Sequence, residues 1–348
     1  MGNLPLLKIL FLTTLSFVVA VLWTPLLTHI LYRYKLGKQI RSAESAPIAS
    51  NLHKKKSGTP AMGGVLVWGT TLALALVFFY VNRVSDNNFF RSLNFLTRPE
   101  TLLPLGALVA SALVGLFDDI LNVKKIGPYG GGLSLRYRLF IFTLIAIVGA
   151  WWFYFKLDWD VLHVPFLGNY SIGPWYIPLF IFIISATSFS VNETDGLDGL
   201  AGGVLLIAFA SYGGIAFMQG RINLATFCFV ITGALLAFLW FNIPPARFFM
   251  GDTGAMSLGV TLGVVAMLTN SILLLPLFGF ILVVESLSVI IQVGSKKIRG
   301  KKVFLSSPIH HHLEASGWPE SKIVMRFWIV TGVMSFLGLM IYLLDRGI

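Results

Sequence analysis

Charged residues are scarce in this sequence. They make up 12% of its 348 residues, whereas 56% are hydrophobic. A soluble domain carries about 25% charged residues, so this number is too small to cover a water-facing surface, and a soluble globular domain is excluded. Apolar runs of roughly 20 residues recur along the chain, and each is long enough to cross a hydrocarbon core of about 30 Å. The composition therefore predicts an integral membrane protein.

Cysteine is almost absent as well. Cys228 is the single cysteine and lies within an apolar run, which excludes both an internal disulfide and a cysteine metal cluster. The net charge of +11 would suggest a nucleic-acid partner for a soluble protein. In a membrane protein, basic residues orient the spans and contact anionic headgroups. We therefore predict membrane lipid, and no nucleic acid, as a partner.

The apolar runs predict an all-α polytopic membrane protein of about ten transmembrane helices, formed by one integral-membrane domain over residues 1–348. A short alternating stretch around Gly168 and Asn169 predicts a small β-hairpin. The boundary at Pro276 is the least sharply marked, because almost nothing separates two apolar runs there. The expected spans lie near residues 6–31, 62–81, 101–117, 137–155, 174–191, 199–218, 222–241, 255–275, 276–293 and 323–344.

The basic residues are distributed unequally between the two sides of these spans. Of the 26 Lys and Arg residues, 18 belong to the loops that follow odd-numbered spans, and Arg326, at the start of the last span, lies on the same side. The positive-inside rule places those loops in the cytoplasm. Because the number of spans is even, both termini are predicted to be periplasmic, and so is the β-hairpin.

Acidic residues collect at the predicted cytoplasmic face. Asp118, Asp119, Asp195, Asp198 and Asp252 all fall at cytoplasmic ends of spans. Carboxylates at the membrane boundary are costly unless they meet a cation or a metal. If the bundle gathers these loops, they form one acidic, cation-binding pocket. Adjacent helical positions point about 100° apart, so Asp118 and Asp119 would divide the work; a solvated helix end is the alternative for this pair.

Two of these aspartates lie in the polar segment Asn192–Ala201, whose sequence is NETDGLDGLA. If this segment is helical, Asp195 and Asp198 are three residues apart and share a face. Asp252 lies between two glycines, an open setting that suits a ligand for a hard cation.

Lys56 begins the segment KSGTPAMGG, which leads into the second span. Glycine and proline at a helix start leave backbone N–H groups for an anion, and the lysine adds positive charge. Close packing between helices is the more common reason for such glycines.

His310, His311 and His312 follow one another in the last predicted cytoplasmic loop. Phosphate contact or proton transfer is the functional interpretation, and a solvated cluster is the alternative. Glu285 lies within the ninth predicted span. An acid inside a membrane is a functional candidate, with a helix–helix hydrogen bond as the alternative.

Taken in order, these motifs resemble those of the polyprenyl-phosphate N-acetylhexosamine-1-phosphate transferases. The similarity covers essentially the whole chain. It is carried by GTPAMGG at 58–64, DD at 118–119, NETDGLDGLA at 192–201 and MGDTG at 250–254. HHHLE at 310–314, followed by GWPE at 317–320, points to the muramoyl branch of the family rather than the N-acetylglucosamine branch.

The resemblance implies a Mg²⁺-dependent, homodimeric enzyme of the bacterial inner membrane, with its active site facing the cytoplasm. The donor would be UDP-N-acetylmuramoyl-pentapeptide and the acceptor undecaprenyl phosphate, in peptidoglycan biosynthesis. By motif match, Asp252 would be the metal ligand, and the catalytic residues would be Asp118, Asp119, Asp252 and His311. The substrate-binding residues would be Lys56, Arg136, Asn192, Asp195, Asp198, Asn242, Phe249, Gln292, His310 and His312.

The sequence departs from the family pattern at two positions that bear on substrate binding. Asn122 stands where the pattern Asp-Asp-x-x-Lys has lysine, so a phosphate-facing charge is missing there. Lys124 or Lys125 is the candidate substitute. Ala61 stands where threonine is common, which removes one side-chain hydroxyl.

Two other functions remain open from the sequence. The first is a sister enzyme that transfers N-acetylglucosamine-1-phosphate to the same lipid. The second is a transporter or lipid flippase. Transporters tend to place acids near mid-membrane on broken helices, often with internal repeats, whereas here the acids lie at one face and Glu285 alone is central.

Overall fold

The computed structural model describes residues 4–37, 56, 58–97, 100–128 and 131–347. Its helices are α1 (Leu4–Arg33), α2 (Val65–Val84), α3 (Asn88–Ser92), α4 (Leu102–Val123), α5 (Leu135–Trp151), α6 (Tyr176–Thr194), α7 (Leu200–Met218), α8 (Ile222–Asn242), α9 (Gly251–Leu268), α10 (Leu275–Phe278), α11 (Phe280–Arg299), α12 (Ile309–Ala315) and α13 (Glu320–Arg346). A π-helical turn, Trp152–Lys156, extends α5. Strands β1 (Val161–Val164) and β2 (Gly168–Ser171) complete the elements.

The predicted membrane fold is confirmed. Within the described residues, nine helices are long and apolar enough to cross a membrane, and the number is ten if the bent segment made of Ile272–Phe278 and Phe280–Arg299 is counted as one span. The orientation of the termini stays a prediction. Five basic residues that entered the charge distribution lie outside the described residues: Lys38, Arg41, Lys54, Lys55 and Arg98.

Helix α9 forms the centre of the bundle. All 18 of its residues are buried, as expected for a helix that is apolar on every side. It packs mainly against α4 and α6, and small residues allow the close approach. A Cβ at Gly259 would lie only 2.7 Å from the Cα of Ser188 on α6. The start of α9, which carries Asp252, is therefore held rigidly between two other spans.

The boundary predicted at Pro276 is wrong. Helix α9 ends at Leu268, seven residues earlier than predicted, and the next span begins at Ile272 with a short 3₁₀ turn. This span then bends by 84° at the break around Gly279. Proline lacks a backbone N–H and is tolerated in the first turn of a helix, so Pro276 lies just inside α10 rather than between two spans.

The helical interpretation of Asn192–Ala201 is also wrong for residues 195–199, which include both aspartates. Helix α6 ends at Thr194, and α7 begins only at Leu200. Gly199 has φ 82°, a left-handed conformation that glycine adopts without steric cost. Asp195 and Asp198 therefore lie in a turn, and the turn rather than a helical face sets their directions.

The predicted β-hairpin is present, and it is tied to the end of the last span. Antiparallel strands β1 and β2 place His163 opposite Asn169. The ring of His163 contacts Asn169 Oδ1 through Nδ1 and Asp345 Oδ2 through Nε2, each at 2.7 Å. Phe166 N donates to the other Asp345 oxygen at 2.6 Å. These contacts join the hairpin to the C-terminal turn of α13.

The approach of α4 to the start of α9 yields a stability test. A Cβ at Gly115 would lie 2.5 Å from the carbonyl oxygen of Asp252, so Gly115→Ala must push the two helices apart. Overpacking of this kind typically costs about 1–3 kcal/mol. We expect Gly115→Ala to lower the free energy of unfolding by that amount, measured by denaturation in mixed micelles.

Gly106→Ala is the matched control on the same helix, because its Cβ would meet nothing within 4 Å. Alanine is the better helix former by roughly 0.5–1 kcal/mol, so this variant should be neutral or slightly stabilised. Equal effects of the two substitutions would contradict the close packing of α4 on α9.

Candidate functional site

Asp119 caps the N-terminus of α9. Its Oδ1 accepts a hydrogen bond from Asp252 N and its Oδ2 one from Thr253 N, both at 3.0 Å. The first N–H groups of a helix have no partner within the helix, and a carboxylate there also interacts favourably with the helix dipole. Gly251 permits this approach, because it has φ 74° and a Cβ would lie 2.7 Å from Asp119 Oδ2. Asp119 thus fixes the start of α9 against the end of α4.

Asp118 and Asp252 meet at the guanidinium of Arg138. Nε of Arg138 lies 2.7 Å from Asp118 Oδ2, and Nη2 lies 3.0 Å from Asp252 Oδ2. The remaining carboxylate oxygens also have donors: Leu133 N for Asp118 at 2.5 Å and Asn192 Nδ2 for Asp252 at 2.8 Å. Asp118 and Asp252 are only 1% and 6% exposed. Asp252 is therefore not the open residue that its flanking glycines suggested.

Arg138 was missed from the sequence, where it counted only as loop charge. It lies in the first turn of α5, and its side chain points at the carboxylates. Arg136, the predicted substrate-binding residue, is exposed. Side chains two positions apart on a helix point in nearly opposite directions. Only one of the two arginines therefore reaches the site. The sequence feature that could have identified Arg138 is its position as a basic residue at the start of an apolar span, since such residues are functional candidates.

Lys56, Asp198 and Glu320 form a second charged group. Lys56 Nζ lies 2.7 Å from Asp198 Oδ1 and 2.5 Å from Glu320 Oε1. Glu320 Oε1 also accepts from Asp198 N at 2.7 Å, and Asp198 Oδ2 accepts from Ala246 N at 3.1 Å. The group therefore joins the chain before α2, the turn after α6 and the start of α13. Glu320 had been noted only as part of the GWPE signature.

Gly63 and Gly64, the last two glycines of the segment that begins at Lys56, serve packing rather than anion binding. Gly63 N donates to Phe249 O at 2.7 Å and Gly64 N donates to Met250 O at 2.8 Å. A Cβ at Gly64 would lie 2.2 Å from the Cα of Gly254. These two N–H groups are thus already bonded within the protein, and the packing alternative is the one that the structure supports.

Asn242 and Gln292 hold loops through every polar atom of their amides. Asn242 accepts from Gly199 N and donates to Phe248 O. Gln292 accepts from Val303 N and Phe304 N and donates to Phe304 O. Both side chains are buried. The structure therefore places these predicted substrate-binding residues beneath the surface loops, where they position the backbone.

Phe249 and Asp195 lie at the edges of these loops and are partly buried. Phe249 N donates to Pro60 O at 2.8 Å, so the backbone of Phe249 is fixed on the segment that precedes α2. The neighbouring Phe248 is fully buried against Phe238 and Phe241. Of the two adjacent rings, Phe249 is thus the one near the surface, and its contact with a nucleobase stays a prediction.

The three histidines point in different directions. His310 is fully buried, and its Nδ1 contacts Glu285 Oε2 at 2.9 Å. His311 contacts Glu314 at 2.7 Å, and the Nδ1 of His312 accepts from Leu305 N at 3.2 Å. The alternative of a uniformly solvated cluster is therefore wrong for His310, and Glu285 makes a bond to a histidine between helices α11 and α12.

His310 supports the turn that carries Asp195 and Asp198. A Cβ at Gly196 would lie 2.2 Å from His310 Nε2, so the imidazole packs directly on the backbone of this turn. Glu285 in turn positions the imidazole through Nδ1. The buried pair thereby connects a residue inside the bundle to a predicted substrate-binding loop.

The chemistry of Asp118 and Asp252 fits a hard divalent cation. Their Oδ2 atoms come from different helices and converge on one cationic group, and Asp118 Oδ2 makes no hydrogen bond. No group of three or more acidic, histidine or cysteine side chains among the described residues is arranged to hold a metal by itself. Mg²⁺ is usually bound through one or two carboxylates together with substrate phosphates, and two carboxylates meet that requirement.

Comparison with known proteins matches both the fold and the site region. Residues 101–270 match the family model for glycosyl transferase family 4. The chain is similar to phospho-N-acetylmuramoyl-pentapeptide-transferases from several bacteria. The protein of Chloroflexus aggregans is 37% identical, over 97% of this chain and 90% of the relative. That of Clostridium novyi is 39% identical, over 93% of both, and that of a Geobacillus species is 40% identical, over 94% and 95%.

The capping contact of Asp119 predicts a loss of stability when it is removed. Asp119→Ala leaves two buried N–H groups without their acceptor, and loss of a cap costs about 0.5–2 kcal/mol. We expect the free energy of unfolding in mixed micelles to fall by an amount near the upper end of that range. Asp119→Asn keeps one acceptor oxygen and should lose less.

Asp86→Ala is the control, because Asp86 is exposed and its pair with Arg91 lies on the surface. Surface pairs contribute about 0–1 kcal/mol. An Asp119→Ala protein of unchanged stability that has lost all activity would show that Asp119 acts on the chemistry rather than on the start of α9.

Proposed function

The chain belongs to the phospho-N-acetylmuramoyl-pentapeptide-transferase family, and from this membership we propose that it transfers phospho-N-acetylmuramoyl-pentapeptide from its UDP-linked donor to undecaprenyl phosphate. The products are the lipid-linked muramoyl-pentapeptide and UMP, as a step of peptidoglycan synthesis. The protein is a multi-span membrane protein, in keeping with a place in the bacterial inner membrane. The transporter and flippase alternatives are thereby set aside.

The observation that carries the mechanism is the convergence of Asp118 and Asp252 at the end of two packed spans. Both reactants are phosphate anions, so carboxylates alone would repel them. A pair of carboxylates at the reaction centre makes sense around a cation that neutralises the transferring phosphoryl group. We therefore assign the reaction centre to the junction of α4 and α9.

Mg²⁺ would be held by Asp252, with Asp118 beside it. When bound, the ion neutralises negative charge on the phosphates and fixes their position. Asn192 donates to Asp252 Oδ1 and so orients the carboxylate, whose Oδ2 faces Arg138. Asp119 acts indirectly, because its hydrogen bonds hold the backbone of Asp252 in place.

The reaction itself is an exchange of one pyrophosphate bond for another. An oxygen of undecaprenyl phosphate attacks the β-phosphorus of the donor, the bond from that phosphorus to the bridging oxygen breaks, and UMP leaves with the electron pair. A phosphate monoester has a second pKa near 6, so the acceptor is largely dianionic near neutral pH. Asp118 as a general base therefore contributes modestly.

Positive charge for the substrate phosphates comes from the protein surface around this centre. Lys56 is held by Asp198 and Glu320 but is still partly exposed. Arg136 is exposed at the start of α5, and His311 lies beside Glu314. We assign phosphate contacts to Lys56, Arg136 and His311, with His311 acting near the reacting groups.

The uridine and sugar contacts are assigned to the loops that these residues border. Asn192, Asp195, Phe249 and His312 lie in or next to the turn after α6 and the loops before α9 and α12. Four further predicted residues, Asp198, Asn242, Gln292 and His310, have buried side chains bonded to backbone, to Lys56 or to Glu285. They are proposed to shape the site rather than to touch the donor.

Placement of the site in the cytoplasm and assembly as a homodimer complete the proposal. The first rests on the distribution of basic residues and on the cytoplasmic location of UDP-linked sugars. The orientation of the protein in the membrane is tested with two variants, one with a cysteine introduced at exposed Lys124 and one with a cysteine introduced at exposed Phe166 of the hairpin. Labelling of position 124 from outside intact cells would contradict it.

The decisive experiment measures UMP release by the purified protein in detergent. With undecaprenyl phosphate and Mg²⁺ present, the muramoyl-pentapeptide donor should give UMP, and UDP-N-acetylglucosamine should give at least about 100-fold less, as expected for a site that recognises polar groups of one donor. Removal of Mg²⁺ with a chelator should abolish the reaction. Preference for UDP-N-acetylglucosamine would identify the sister enzyme instead.

Activity at high pH should also distinguish the roles of the Asp118 and Asp252 carboxylates. At pH 8 the acceptor is already deprotonated, so a base has little left to do, whereas the cation is still required. We expect Asp252→Ala to lower kcat by about 10³-fold, since a metal supplies several kcal/mol, and Asp118→Asn by about 10-fold. Comparable inactivation of the two variants at saturating Mg²⁺ would count against this ranking, and labelled phosphate trapped on Asp118 would indicate a covalent intermediate.

A further inference from the structure

We propose that Arg138 is an exchangeable placeholder for the divalent cation: it binds Asp118 and Asp252 when the cation is absent, and it turns to a substrate phosphate when the cation binds. This proposal rests on the proposed function, because it concerns the same reaction centre. It assigns a role to a residue that the sequence motifs do not include.

The first argument is one of space. The guanidinium nitrogens lie 2.7 and 3.0 Å from the Oδ2 atoms of Asp118 and Asp252. Mg²⁺ binds oxygen ligands at about 2.0–2.1 Å in near-octahedral geometry. An ion bound to both Oδ2 atoms would occupy the space in which the guanidinium now lies. The arginine must therefore move before both oxygens bind the ion.

The second argument concerns the quality of the contact that must break. Arg138 Nε and Asp118 Oδ2 are buried and close, yet neither takes part in a hydrogen bond of acceptable geometry. The contact is therefore an ion pair without an aligned N–H···O bond. Such a contact is exchanged for a metal–oxygen contact more easily than an aligned bidentate pair, which gains from two directed bonds.

The third argument concerns where the guanidinium can go. The Arg138 side chain is 21% exposed, compared with 1% for that of Asp118, so its outer end is near solvent. The loop before α5 contains glycines at positive φ, among them Gly131 and Gly132, and a Cβ at Gly132 would lie 3.5 Å from Arg138 Nη2. A residue without a side chain thus borders the guanidinium.

The fourth argument concerns charge. Asn122 stands where the family pattern has lysine, and Lys124 and Lys125 lie beyond the end of α4, exposed. The same Cβ at Gly132 would be 3.7 Å from the Cβ of Asn122 and 3.5 Å from Arg138 Nη2. Arg138 and Asn122 thus both border Gly132. A planar guanidinium also binds phosphate in a bidentate manner.

Mg²⁺ alone, titrated calorimetrically into the full-length protein in detergent, tests the exchange. Arg138→Gln removes the guanidinium that competes with the cation. This variant should bind Mg²⁺ about 10-fold more tightly, as expected for loss of charged contacts. Arg138→Lys keeps the charge but makes one contact instead of two, and should bind Mg²⁺ about 3-fold more tightly. Arg299→Gln, a matched substitution at an exposed helix end, should leave the affinity unchanged.

Steady-state kinetics at saturating Mg²⁺ supply the second readout. Arg138→Lys should raise the KM of the donor or of the acceptor about 10-fold, and Arg138→Gln should also lower kcat by about 100-fold, as for a lost electrostatic contact to the transition state. A role in holding the helices alone would instead leave both KM values unchanged in Arg138→Lys, because the lysine charge still neutralises the two buried carboxylates.

Unchanged or weaker Mg²⁺ binding in Arg138→Gln would overturn the proposal. If that variant does not fold, unchanged Mg²⁺ affinity and unchanged KM values in Arg138→Lys would overturn it equally. Failure of the proposed function is a separate result, since it would show as a wild-type protein that binds Mg²⁺ but releases no UMP from the muramoyl donor.

Discussion

The hydrogen bonds from the start of α9 to the Asp119 carboxylate are the contacts on which the rest of the site depends. Helix α9 is buried along its whole length, so water does not reach its first N–H groups to satisfy them. Burial of a carboxylate without hydrogen-bond donors also costs free energy. The hydrogen bonds between the Asp119 carboxylate and the N–H groups of α9 satisfy both. The contact joins two distant parts of the chain at one point, and every other residue of the reaction centre is placed relative to it.

The neighbouring Asp118 illustrates how this contact creates a reaction centre. Adjacent residues on a helix point about 100° apart, so when Asp119 faces the backbone of α9, Asp118 faces sideways, towards Asp252 and Arg138. The two aspartates therefore have different contacts: Asp119 positions a helix, and Asp118 meets the guanidinium of Arg138. A single motif of two identical residues thereby supplies both a structural bond and a chemical group.

Ion pairs, some fully buried and some partly exposed, serve a similar purpose in the surrounding loops. Lys56 with Asp198 and Glu320, and His310 with Glu285, each connect segments that are far apart in sequence. Buried pairs contribute little net stability, because desolvation offsets much of the attraction. Their value here is positional: they hold the turn after α6 between the chain before α2 and helices α11 to α13, and this turn carries the proposed donor contacts.

The sequence alone determined the environment and the types of residue available for chemistry. Long apolar runs require a membrane, the two-residue alternation around Gly168 specifies a hairpin, and acids at span ends require cations, because these properties depend on local composition and on the solvent. The sequence pattern gave wrong predictions where the backbone conformation departs from it. The turn at Asp195 and Asp198 is set by Gly199, and the span boundary lies before Pro276 rather than at it. Which side chains meet was decided only by the tertiary structure. Whether Arg136 or Arg138 reaches the carboxylates, or whether Asn242 faces a ligand or a loop, depends on the rotation and contact of helices that no single segment encodes.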